Sequence, residues 1–242
     1  MAQVFKDHMQ AWKVTLRLLT LRSFLLFFLP GVFIAVLFLL VNQQLAAVGS
    51  YKSYLDYIPY VGKYLEKGAG FLEEILSGMT VFLYQFFVIT LLSPFHTLLS
   101  EKVETKITSE RFPFSWEKIV SDVVRTLGIV ILGGLFYLLL KLIWLFVAWV
   151  FGLDFLSPYV TFLLISFFTG FNSYDYSLER HDVSVLKSWK FGQKYMSYML
   201  LSGSLFGLIM LLPTIGVVLA PVVLTMSSTV VFIRLKQRKA LF

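Results

Sequence analysis

The amino-terminal residues follow a helical repeat of apolar and basic side chains. This repeat predicts an amphipathic helix over residues 4–21. An apolar face beside a basic face suits the interface of an anionic leaflet, and the alternative is a helix that docks on the rest of the protein. The apolar positions are Phe5, Met9, Trp12, Leu16 and Leu19, and the second face carries Lys6, Gln10, Lys13 and Arg17.

Two longer apolar runs predict transmembrane helices, because a helix needs about 20 apolar residues to cross a bilayer. Residues 24–41 are uncharged, and Pro30 and Gly31 lie near the start of this run. A cleaved signal peptide is the alternative interpretation of this segment. Residues 79–99 form the second predicted span. A polar, strongly helical stretch follows them, so we expect this helix to extend on the cytoplasmic side to about residue 108.

Two later pairs of apolar runs predict helical hairpins over residues 127–171 and 198–233. The run 159–171 is too short to cross a bilayer, and the run 198–212 is marginal. Both hairpin tips carry proline and glycine rather than a polar loop. We therefore expect re-entrant hairpins, with six ordinary spans as the alternative. Irregular backbone at that depth must be buried in protein or line a wet cavity, which favours an oligomer.

The composition agrees with an integral membrane protein that forms a single membrane domain over residues 1–242. Of the 242 residues, 58% are hydrophobic and only 14% are charged, against roughly 25% charged in soluble domains. Basic residues gather before residue 24, in 100–126, in 172–197 and after 233. This distribution predicts that both termini are cytoplasmic, and it explains the net charge of +7 without nucleic-acid binding.

The polar stretch 42–78, between the two predicted spans, is rich in tyrosine. Such a density fits either a belt of side chains at the level of the lipid headgroups or a surface for a partner. The tyrosines at regular spacing are Tyr51, Tyr54, Tyr57, Tyr60 and Tyr64.

No constellation of residues predicts an enzyme. His8, His96 and His181 have no metal-ligand spacing, and the chain has no cysteine. Nucleotide-binding and hydrolase motifs are absent, so we expect no metal, no cofactor and no catalytic residue. Ser115 and Lys118 have the S-x-x-K spacing of some serine hydrolases, but we interpret Ser115 as the N-cap of a helix.

Arg22 is the candidate for anion binding. It closes the basic leader where the first predicted span begins. A guanidinium at a membrane entrance can hold an oxyanion through two hydrogen bonds. The alternative role is an anchor that reaches the lipid phosphates.

Four stretches, in order along nearly the whole chain, resemble the CysZ family of bacterial inner-membrane sulfate transport proteins. Residues 93–104 resemble its Pro-Phe-Asn-x-Leu-Leu-Ala-Glu-x-x-Glu signature, and residues 175–181 resemble its Asp-Tyr-Pro-x-x-Asn-His segment. Pro213 and Pro221 resemble two prolines of the last hairpin. Trp12-Lys13 and the Leu21 to Phe24 segment resemble the amino-terminal pattern.

This resemblance implies an all-α membrane fold with two long transmembrane helices and two hemi-penetrating hairpins. It also implies a symmetric homo-oligomer in the bacterial inner membrane that moves sulfate into the cytoplasm for cysteine biosynthesis. The implied anion site comprises Thr20, Leu21, Arg22 and Ser23. A polar cluster behind the membrane helices, to which we assign a structural role, comprises His96, Glu101, Glu104, Asp175 and His181.

The departures from the family pattern fall at the anion site and at three further positions. Thr20 replaces a glycine, and Ser23 replaces a second basic residue. His96, Arg180 and Gly216 each replace an asparagine. We therefore expect a permease or channel for sulfate or a related oxyanion. The alternative is a non-transporting membrane scaffold or assembly subunit that uses the tyrosine-rich segment and the amino-terminal helix as contact surfaces.

Overall fold

The computed structural model describes residues 1–33, 36, 92–110, 112, 116–212 and 215–238. These residues are almost entirely helical, and none of them lies in a β-strand. The predicted spans 24–41 and 79–99 lie partly outside the described residues. The tyrosine-rich stretch, Ser115 and Pro213 lie wholly outside them.

The described helices follow one another with short breaks. They are α1 (Ala2–Leu19), α2 (Arg22–Leu25, continued by a 3-10 turn at Leu26–Phe28 and helical residues to Phe33), α3 (92–108), α4 (Trp116–Phe151), α5 (Ser157–Arg180), α6 (Val185–Lys194), α7 (Met196–Met210) and α8 (Ile215–Gln237). The end of α3 coincides with the end predicted for the cytoplasmic extension.

Among the described residues, three helical segments are long and apolar enough to cross a membrane, namely Val124–Phe151, Asp154–Arg180 and Val218–Gln237. A fourth candidate arises if α1 and the segment Arg22–Phe33 are taken as one unit, although the two meet at an angle of 98°. The chain is thus an all-α membrane protein.

The break in the first hairpin lies where glycine and proline predict it. Gly152 has a left-handed φ of +64°, and the N–H of Leu153 donates to the carbonyl of Ala148 at 2.9 Å. This is the Schellman arrangement that ends helices, and a glycine accepts its left-handed position without strain. A proline in the first turn of α5 then starts the next helix without loss of a hydrogen bond.

The second leg of this hairpin is longer than its apolar run. The run ends at Phe171, whereas α5 continues for nine more residues to Arg180. All of these residues except Leu178 are polar, but most of them are buried. The side chains of Asp175, Ser177 and Arg180 contact other helices. The helix has 24 residues, so it is longer than its 13-residue apolar run indicates. Its length therefore does not require a re-entrant path.

The core forms where α5, α7 and α8 pack together. The residues of α8 between Ala220 and Ile233 are all buried, so this helix lies at the centre of the described protein. Three of its buried hydroxyls, those of Ser227, Ser228 and Thr229, donate to backbone carbonyls. Ser228 Oγ donates to the carbonyls of Thr225 and Ser173, and Thr229 Oγ1 donates to Thr225.

The amino-terminal helix docks on α8, but through a face that the apolar repeat does not identify. Its buried residues are Asp7, His8, Ala11, Thr15 and Leu18. The apolar row predicted from the sequence stays largely exposed, with Phe5 60%, Met9 50% and Leu16 57% accessible. The helix thus has a docking face in addition to the two predicted faces.

Candidate functional site

The four predicted anion-site residues lie together at the corner between α1 and α2. Leu21 is extended, with φ −82° and ψ 122°, and this conformation turns the chain. All four residues are exposed. Arg22 has no hydrogen-bond or ion-pair partner in the described part of the chain.

The two hydroxyl residues of this corner have different surroundings. Thr20 Oγ1 donates its proton to the carbonyl of Arg17 at 2.7 Å and so caps the end of α1. A hydroxyl has one proton, so Thr20 cannot donate to an anion while this bond stands. The backbone carbonyl of Ser23 accepts a hydrogen bond from Lys102 Nζ at 2.6 Å, which leaves the Ser23 hydroxyl uninvolved in that contact.

Lys102 brings a second cation to the corner. Its ammonium lies 5.2 Å from the centre of the Phe24 ring and 5.3 Å from that of Phe27, within the range of cation–π attraction. Sequence reasoning missed this residue because it lies 79 positions from Ser23 along the chain. Ser23 stands where the family pattern has a second basic residue. Lys102 brings a positive charge to the backbone of the same residue from a distant part of the chain.

A second group of charges is buried between α3, α5 and α8. The Glu104 side chain is fully buried. Its carboxylate accepts hydrogen bonds from Arg180 Nε at 2.9 Å and from His181 Nε2 at 2.7 Å. Lys236 Nζ lies 3.9 Å from the same carboxylate. Burial raises the pKa of Glu104, but the His181 hydrogen bond and the charges of Arg180 and Lys236 outweigh burial and hold it below its usual range.

The ligand atoms of Glu104, Glu110 and His181 lie within 4.8 Å of one another, close enough to surround a metal ion. Two cations already bind these acids, since Arg180 pairs with Glu104 and Lys236 Nζ lies 3.4 Å from Glu110. A metal ion would have to displace or oppose both. We therefore assign these residues to a structural ion-pair cluster.

The predicted polar cluster divides into separate neighbourhoods. Glu104 and His181 contact each other, whereas Asp175 pairs with Arg125 at 3.1 Å. Arg125 also donates to Ser188 Oγ at 2.8 Å and reaches Glu179 at 3.6 Å.

The two remaining cluster residues are His96 and Glu101. His96 is buried and packs edge-on against Tyr176, with 5.7 Å between the ring centres. It lines a small cavity with residues of α5, α7 and α8. Glu101 is half-buried on α3, next to Lys102.

A third charge cluster joins the two ends of the chain. Asp7 accepts two hydrogen bonds from Arg238, both at 2.7 Å, and one from Arg234 at 3.2 Å. Tyr198 donates to the same carboxylate at 2.9 Å. Burial raises the pKa of Asp7, but these hydrogen bonds outweigh it and lower the pKa to about 2. This cluster fixes α1 against α7 and α8.

Replacing Asp7 with asparagine should cost about 1.5–3 kcal/mol of stability, because Arg238 and Arg234 lose a charged acceptor. The folded pKa of about 2 lies below the ordinary 3.8, so the contribution is complete above about pH 5. It is lost as the pH falls from about 4 towards 2. The difference in melting temperature between wild type and Asp7→Asn, measured in detergent, should be constant from pH 8 to 5 and shrink below pH 4. A difference that stays constant down to pH 3 would contradict this assignment.

Comparison with protein-family models and with curated proteins gives no match for this chain.

Proposed function

We propose that the chain is an anion permease or channel of the CysZ type in a bacterial inner membrane, with sulfate or a related oxyanion as its cargo. The observation that carries the proposal is the pair of cations at the α1–α2 corner. Arg22 is exposed there without a partner among the described residues, and Lys102 Nζ lies on the carbonyl of Ser23. An exposed guanidinium and an ammonium that belong to the same corner of the chain suit a planar or tetrahedral oxyanion.

The buried charges are less suited to this role. Glu104, Asp175 and Asp7 each pair with the cations around them, and a carboxylate repels an anion. At the corner, by contrast, no acid pairs with Arg22 in the described part of the chain. Lys102 spends one of its three N–H donors on Ser23, which leaves two for a ligand.

The placement in the membrane is part of the same proposal. Helix α7 has 15 residues and is about 22 Å long, whereas the hydrocarbon core is about 30 Å thick. We therefore propose a re-entrant path for the hairpin of α7 and α8. We propose the same path for the first hairpin, although its helices are also long enough to cross the membrane. Both termini lie on the cytoplasmic side, as the distribution of basic residues favours.

The proposed oligomer rests on the re-entrant path and not on the exposed apolar surface. Large apolar side chains cover the outside of α4, among them Leu135, Phe146 and Trp149. Lipid covers such a surface in a spanning helix, whereas the irregular backbone at the tip of a re-entrant hairpin needs protein or water around it. A homo-oligomer provides that environment.

Removing either cation should reduce anion flux. A hydrogen bond to a charged group contributes about 1.5–3 kcal/mol, so Arg22→Ala and Lys102→Ala should each weaken sulfate binding roughly tenfold or more. The measurement is uptake of radiolabelled sulfate, sulfite and phosphate into proteoliposomes, with sulfate binding to the purified protein in parallel. Lys187→Ala removes an equal charge from the exposed face of α6 and should leave both quantities near wild type.

Two results would overturn the proposal in different ways. Undiminished sulfate flux in Arg22→Ala would show that the α1–α2 corner does not bind the transported anion. An absence of flux for all three anions in the wild-type protein, together with a stoichiometric partner that co-purifies, would instead favour the membrane scaffold.

A further inference from the structure

Helix α1 presents three faces in three directions. With 100° between successive residues, the centres of the docking, apolar and basic faces are separated by roughly 95° or more. The docking face holds Asp7 and His8. The apolar face carries exposed Met1, Phe5, Met9 and Leu16, and the third face carries exposed Lys6, Lys13 and Arg17.

The docking face fixes the rotation of α1 about its own axis. Asp7 is held by Arg238 through two hydrogen bonds, and His8 Nε2 lies 2.8 Å from Ser202 Oγ. The His8 ring also stacks on Tyr198, with ring centres 5.7 Å apart. Because these contacts are polar and directional, α1 cannot roll to bury its apolar row without breaking them. The apolar row must therefore be covered by something outside the described protein.

The next segment of the chain indicates what covers it. Residues Arg22–Phe33 form an apolar helical segment that meets α1 at 98°. Its side chains are also exposed, including Leu26 at 66% and Phe33 at 67%. If this segment runs along the bilayer normal, α1 lies in the plane of the membrane surface. Its three faces then point to the acyl chains, to the protein and sideways into the headgroup layer.

We propose that α1 is a membrane-surface helix that binds anionic phospholipid. The apolar row lies at the boundary between headgroups and acyl chains, and Lys6, Lys13 and Arg17 contact the negatively charged headgroups. An apolar face beside a cationic one is the combination that binds anionic leaflets. The docking face adds what an isolated amphipathic helix lacks, since it sets the rotation at which the other two faces meet the lipid.

The first test reads the depth of the two outer faces. The chain has no cysteine, so single cysteines can be labelled without background. Phe5→Cys and Leu16→Cys report on the apolar face, and Lys13→Cys reports on the basic face. In lipid nanodiscs, a fluorescent label at the first two positions should be quenched best by a nitroxide in the upper acyl chain. A label at Lys13 should be quenched best by a nitroxide on the headgroup.

The second test reads lipid selectivity. In electron paramagnetic resonance of the full-length protein, spin-labelled phosphatidylglycerol should be immobilised severalfold more than spin-labelled phosphatidylcholine. Replacing Lys6, Lys13 and Arg17 together with glutamine should remove most of that preference. The matched control replaces Lys187, Lys190 and Lys194 on α6 with glutamine, which removes the same net charge, and should retain the preference.

The proposal fails if labels at Phe5 and Leu16 are as accessible to a water-soluble quencher as the label at Lys13. A second copy or another protein would then be the better candidate for covering the apolar row. It also fails if both triple substitutions lower the lipid preference equally, because net charge alone would then explain the attraction. Neither outcome depends on anion flux, so both readouts stay valid if the transport proposal is wrong.

Discussion

Replacing Glu104 with alanine is expected to lower the stability of the protein by about 3–5 kcal/mol, the usual cost of leaving a buried charge unpaired. The Glu104 side chain is fully buried, and the side chain of its partner Arg180 is 2% exposed. Without the carboxylate, Arg180 keeps its charge in a place that water does not reach. For a chain of this length, such a loss corresponds to a fall in melting temperature of about 10 °C or more in detergent.

Two related variants separate the buried pair from general charge effects. Glu110→Ala removes a carboxylate from the same cluster, but Glu110 is 51% exposed and should cost less than about 1 kcal/mol. Glu104→Gln keeps the volume and one acceptor oxygen, so its melting temperature should lie between those of Glu104→Ala and wild type. Equal melting temperatures for Glu104→Ala and Glu110→Ala would show that the buried pair does not stabilise the fold.

Adding a methyl group at Gly203 is expected to be nearly as damaging. A Cβ at Gly203 would overlap the backbone carbonyl of Ser166, and a Cβ at Gly170 would overlap that of Met199. These contacts lie one helical turn apart on α5 and α7 and hold the two helices at backbone distance. Because backbone atoms cannot rotate away, Gly203→Ala should cost about 2–3 kcal/mol, at the upper end for overpacking, and lower the melting temperature accordingly.

The double substitution and a matched glycine test this explanation. Gly170→Ala and Gly203→Ala both force the same two helices apart, so the double variant should cost less than the sum of the single ones. Gly128 has nothing within 4 Å of its missing Cβ, and Gly128→Ala should stabilise α4 by about 0.5–1 kcal/mol. Strict additivity, or a loss of stability in Gly128→Ala, would argue against close packing as the cause.

The sequence shows the spacing of Gly203 and Gly207 on α7, but it does not show that Gly170 on α5 takes part in the same helix contact. Gly203 and Gly207 have the G-x-x-x-G spacing that allows close helix approach, although ordinary packing is the commoner use of such glycines. Gly203 does lie against the backbone of Ser166. Gly207 meets only the Phe162 ring, at 3.0 Å. The essential second glycine is Gly170, on another helix. Its role depends on the register between α5 and α7, which no spacing within one segment reveals.

The three charge clusters show the same limit more strongly. Asp7 lies 231 residues from Arg238, and Glu104 lies 76 residues from Arg180. From the sequence alone, a charged or polar residue is expected to face water. Whether it does depends on a partner of opposite charge at the same place in the fold. For this reason the polar end of α5 was expected outside the hairpin, whereas it lies buried within the helix.

The sequence by itself determined that this is an all-helical membrane protein, where the helix breaks near Gly152 fall, and that α1 carries apolar and basic faces. Those features follow from transfer of side chains between water and lipid and from backbone geometry, which act residue by residue. Only the tertiary structure decided which face of α1 docks, that Lys102 stands beside Ser23, and which acid pairs with which base. Those contacts are set by the register of helices distant in the chain, and hydropathy and spacing carry no information about that register.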